Sequence, residues 1–74
     1  ALTTDGQSLY SYNLRIAEHI PNAEAYSTIV YDYTSRGGAY KSSMTSTHVR
    51  LAKQRIPRRN VMLVETAEKA GLIR

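Results

Sequence analysis

The chain has 74 residues, six tyrosines, no cysteine, no Phe and no Trp, and a formal net charge of +4. A chain of this length forms one domain at most and buries only roughly 60% of the surface its unfolded state exposes. The lack of cysteine rules out disulfide staples and most zinc sites, so a partner subunit, including a homodimer, is an expected source of added stability. There is no run of about 18 apolar residues, and Ala1 to Gly6 lack the basic-then-apolar order of a secretory signal. The expectation is a cytoplasmic protein with no membrane association, and no cofactor is indicated.

In chain order, Asp5-Gly6 reads as a turn, and Ser8-Leu9-Tyr10-Ser11-Tyr12 as a short strand. Leu14, Ile16, Glu18 and Ile20 alternate with Arg15, Ala17 and His19, a period-2 pattern that predicts a second strand, with a helical turn as the rival reading. Pro21-Asn22 opens a turn. Ala25 to Tyr33 is the clearest strand, rich in Tyr, Thr, Ile and Val. Tyr26, Thr28 and Val30 fall on one of its faces and Ile29, Tyr31 and Tyr33 on the other, which predicts a central strand or cover on both sides. Thr34 to Ala39, with adjacent glycines at 37 and 38, must be a loop.

From Thr45 the pattern becomes helical. Ser43 or Thr45 is the expected N-cap, Val49, Ala52 and Ile56 mark one face, and Pro57 ends the helix. Leu51 projects from nearly the opposite side. Asn60 is the expected cap of a final helix carrying Val61, Leu63, Val64, Ala67, Ala70 and Ile73 toward Gly71, with Val61 to Val64 readable instead as a strand. The predicted fold is α+β, a three-stranded antiparallel sheet followed by two helices (βββαα) on one of its faces, in a single domain spanning residues 1–74.

The net charge hides an asymmetry. Residues 1–37 carry two basic and four acidic side chains, a balance of −2, whereas residues 38–74 carry eight and two, a balance of +6. No acid lies between Lys41 and Arg59. Arg36, Lys41, Arg50, Lys53, Arg55, Arg58 and Arg59 are therefore the candidate nucleic-acid-binding residues, gripping phosphate in a salt-sensitive, sequence-independent manner. Around Arg36-Gly37-Gly38 and Lys41-Ser42-Ser43, backbone N–H groups and a helix start could form a phosphate cradle, although the P-loop spacing is missing. Tyrosines on an exposed sheet face could stack bases.

Chemistry is sparse otherwise. His48 among Ser42, Ser43, Thr45, Ser46 and Thr47 could act as a base for a hydroxyl nucleophile, yet such hydroxyls at a helix start more often cap it. A metal would need His19 or His48 with a distant Asp32 or Glu24. The reading is therefore non-enzymatic, with a protein-interaction module that modulates a host enzyme or polymerase as the alternative to nucleic-acid binding; Tyr, Arg and Leu51 suit such an interface.

Ser11-Tyr12, Ile16-Ala17, Tyr40 and the run Ser42-Ser43-Met44-Thr45-Ser46-Thr47-His48 together resemble a domain of unknown function in small proteins of tailed bacteriophages. The resemblance spans roughly residues 9–56, with Met44 where that pattern has Thr or Ser. It implies a viral accessory protein acting in the host cytoplasm and carries no catalytic residues with it.

Overall fold

The computed structural model describes residues 1–21 and 26–73. The turn expected after Pro21, Ala25 at the head of the third predicted strand, Glu24 and Arg74 lie outside them.

Five strands form one sheet in chain order: β1 (Leu2–Thr4), β2 (Ser8–Ser11), β3 (Leu14–Pro21), β4 (Tyr26–Tyr31) and β5 (Val61–Met62). The first four pair antiparallel as a meander, and β5 runs parallel to β4 with Val61 beside Val30 and Met62 beside Tyr31. Helix α1 (Ser43–Lys53) makes the crossover that a parallel pair requires, and α2 (Val64–Lys69) follows β5. The fold is thus α+β, but with a five-stranded mixed sheet in place of three antiparallel strands.

Local chemistry fixes the turns. Asp5 accepts the backbone N–H groups of Ser8 at 2.7 Å and Gln7 at 2.9 Å, and Thr4 donates its hydroxyl to the Ser8 carbonyl at 2.8 Å. These bonds reverse the chain after β1, a strand too short and exposed to announce itself in sequence. Between β2 and β3 only Tyr12 and Asn13 intervene, and Tyr12 adopts a left-handed backbone with φ 57°. The β2–β3 register then slips between Leu9 and Tyr10, leaving Ile16 as an extra, fully buried residue.

Alternation on β4 dictates the layers. Val30 and Asp32 face α1, which buries Val49 and ties to β2 and β4 by its side chains. Tyr31 and Tyr33 face the other way, where the segment of Val64, Ala67 and Ile73 meets them; Ile29 shares a cavity wall with Leu63 and Thr66, and Tyr33 with Ile73. The two helices therefore lie on opposite faces, not on one. A strand apolar on both sides demands two covers, and burial of Tyr31 and Val30 to zero exposure shows both are supplied.

Helix α1 is capped by Ser42, whose hydroxyl accepts the Thr45 N–H at 3.1 Å, one residue before the expected Ser43. It ends at Lys53, three residues short of Ile56, whose backbone the following Pro57 steers away from the helical region. The final helix is shorter than expected: Asn60 closes a 3₁₀ turn (Arg58–Asn60), and Val61–Met62 is strand. Gly71, with φ +75°, terminates α2 as Leu72 N–H bonds the Ala67 carbonyl at 2.9 Å and Gly71 N–H the Glu68 carbonyl at 3.1 Å.

Candidate anion-binding site

Where β4 ends, the chain curls around Asp32. This carboxylate is nearly buried; it accepts the Thr34 hydroxyl at 2.6 Å and the Lys53 ammonium at 3.4 Å, while the Asp32 N–H bonds the Met62 carbonyl at 2.9 Å. One residue thereby joins the loop, α1 and β5. Gly37 rests directly on it: a Cβ there would overlap the Asp32 carbonyl oxygen and stand 2.7 Å from its carboxyl carbon. The loop can fold back only because position 37 has no side chain.

The consequence is a hollow of about 360 Å³ lined by Thr34, Ser35, Arg36, Arg50 and Lys53. Arg50 and Lys53 lie one turn apart on α1, and the curl of the loop brings Arg36 to them. Lys53 is paired with Asp32 at 3.4 Å. Arg36 and Arg50 have no carboxylate within 4 Å among the described residues, so the hollow keeps a net charge of +2. Cations and hydroxyls converging on a concavity can hold a phosphate-sized anion.

The cradle of backbone N–H groups expected around the glycines is not there. Gly37 N–H is turned to the Thr34 hydroxyl at 3.3 Å, Gly38 N–H to the Ser35 carbonyl at 3.1 Å and Ala39 N–H to the Thr34 carbonyl at 3.2 Å. Those donors close the loop and leave the charged side chains as the means of gripping an anion.

The seven predicted basic residues do not line one hollow. Arg36, Arg50 and Lys53 meet. Lys41 borders a shallow hollow with Tyr12, Asn13 and Thr45; Arg55 borders an apolar groove with His19 and Ile56; Arg59 lies against β5 beside Leu63 and Thr66; and Arg58 is exposed in the 3₁₀ turn. Tyr31 and Tyr33 are buried under the second helix, Tyr10 on β2 is half-buried, and among the described residues the exposed rings are those of Tyr12 in a turn and Tyr40 in a loop.

His48 has a partner that adjacency in sequence did not suggest. Its Nδ1 lies 2.7 Å from the Ser11 hydroxyl, which also meets the Thr45 hydroxyl at 3.0 Å. All three side chains are buried, and no carboxylate contacts the imidazole among the described residues, so the geometry is that of a polar pin between β2 and α1. His19 Nδ1 lies 2.8 Å from the Thr28 hydroxyl across β3 and β4, and Asp32 is engaged by Lys53. Among the described residues no three of His, Asp and Glu gather as a metal-binding group, and no helix is long and apolar enough to cross a membrane.

On the second helix's side of the sheet, Glu18 accepts the Tyr31 hydroxyl at 2.9 Å and Arg15 at 3.0 Å. Burial, and then this bond to Glu18, push the Tyr31 hydroxyl from 10.0 up to about 12; burial followed by the charge of Glu68 raises Tyr33. Compared with known proteins, the chain matches no family model, no curated protein and no solved structure.

Proposed function

We propose that this chain is a small phage-type accessory protein that binds the phosphate backbone of nucleic acid, DNA or RNA, through the hollow formed by Arg36, Arg50 and Lys53. The observation that carries this reading is the convergence of three cations, two without an ion-pair partner among the described residues, on one polar concavity. Lys41, Arg55, Arg58 and Arg59 add a diffuse positive field around it that raises encounter rates without fixing geometry. The resemblance of residues 9–56 to small phage proteins agrees with such a role and names no target.

The test is fluorescence anisotropy with single- and double-stranded DNA and RNA across a salt series. Three phosphate contacts give a slope of log K against log salt near −2.7 for duplex, or about a 40-fold loss of affinity from 50 to 200 mM salt. Replacing Arg36 and Arg50 together by Gln shrinks that slope toward −0.9. Absence of binding to every nucleic acid at low salt would remove the reading.

One observation favours the alternative of a protein-interaction module. Tyr12, 56% exposed, holds a left-handed backbone in which Gly or Asn is more comfortable, so an aromatic ring is presented to solvent at a conformational cost. Met44 and Leu51, both 49% exposed, lie on the outward side of α1. Retention of one stoichiometric host protein in a nuclease-treated pull-down selects this reading over the first.

A further inference from the structure

Helix α1 is shorter than the sheet it covers. Its 11 residues span about 16 Å, whereas the eight residues of β3 span about 26 Å. Two alanines deepen the gap where helix and sheet still meet: Ala17 on β3 and Ala52 on α1. Around them Leu9, Val30 and Ile56 supply an apolar wall, and the result is a groove of about 220 Å³. His19 and Thr28, bonded to each other at 2.8 Å, form one rim.

Arg55 forms another part of the rim. It is exposed and has no carboxylate within 4 Å among the described residues. Among the described residues the one acid bordering the groove, Glu18, has its carboxylate on the opposite face of the sheet, engaged by Arg15 and Tyr31. The groove therefore pairs an apolar floor with a single positive charge at its mouth.

We infer that this groove binds a small amphiphilic monocarboxylate, its hydrocarbon body over Ala17, Val30 and Ala52 and its carboxylate on Arg55. Size sets the class: at about 30 Å³ for each water-sized group, the volume takes about seven such groups, below the roughly 300 Å³ at which drug-sized pockets begin. A straight chain of about six carbons fills it. The planar guanidinium offers two parallel N–H donors to the two carboxylate oxygens, a match that an alcohol of equal length lacks. This site is separate from the Arg36 hollow and does not depend on the nucleic-acid reading.

The experiment is a titration of the full chain with hexanoate and, separately, with hexanol, followed by backbone amide shifts. Hexanoate is expected to move the amides of Leu9, Ala17, Thr28, Val30 and Ala52 with a dissociation constant on the order of 1 mM. Ala52→Leu fills the floor and abolishes those shifts. Arg55→Gln, at an exposed position that folding does not need, weakens hexanoate about tenfold and leaves hexanol unchanged. The inference is overturned if hexanoate moves none of these amides, if its shifts centre on Arg36 and Arg50, or if Arg55→Gln binds hexanoate as well as the parent chain does.

Discussion

Gly37 and Gly38 are neighbours that serve different physical needs. Gly38 has φ +78° with nothing near its missing Cβ, so its requirement is conformational. Gly37 lies outside the left-handed region, and its requirement is space: Asp32 occupies the volume a methyl group would take. Backbone cannot step aside as a side-chain tip can. Gly37→Ala is therefore expected to cost about 1–3 kcal/mol through overpacking, against about 1 kcal/mol for Gly38→Ala through backbone strain. Urea unfolding of the two variants measures this, and an equal or reversed order contradicts the contact with Asp32. Anisotropy with nucleic acid adds a second readout: since the curl of the loop delivers Arg36 to Arg50, Gly37→Ala weakens binding, whereas Gly38→Ala, at a position with free space, leaves the hollow in place.

At the scale of elements, α1 organises the site, and its start decides where Arg50 and Lys53 fall. Ser42 caps it by accepting the Thr45 N–H, while Ser43, an equally plausible cap by composition, is its first helical residue and is exposed. Ser42→Ala is expected to lower stability by about 1 kcal/mol, and Ser43→Ala by much less or not at all, as read from thermal unfolding. The sequence showed β2, β3, β4 and α1 because each carries its own periodicity within its own residues. It left β5 open between a strand and the start of the final helix: Val61 and Met62 are a strand because β4 offers Val30 and Tyr31 as neighbours, a reason some 30 residues away in the chain. Leu2, Thr3 and Thr4 likewise are a strand only because Ser11, Tyr10 and Leu9 pair with them. The site was legible in the same uneven way. The cations could be named from composition, but which three meet depends on a loop folded over a buried Asp32, and Ser11 meets His48 across 37 positions.

For the molecule as a whole, the sheet is a partition between two different chemistries. The α1 side holds the polar pin, the cation hollow and the apolar groove; the α2 side buries the rings of Tyr31 and Tyr33, and a buried tyrosine hydroxyl needs a partner. Tyr31 finds Glu18, itself held by Arg15, and so stays protonated in the folded chain up to about 12. In the unfolded chain the same hydroxyl ionises near 10.0. The unfolded state thus binds fewer protons than the folded state between those values, and stability falls as pH rises. The contribution is whole below pH 10, declines above it and is spent once the pH has passed about 12, with Tyr33 acting in the same direction. Urea midpoints recorded at intervals from pH 9 to 12 should descend more steeply for the parent chain than for Tyr31→Phe, which keeps the ring but has no proton to lose. Parallel descents would mean that the Tyr31 hydroxyl ionises as readily inside the fold as outside it, and that α2 does not seal this face of the sheet from water.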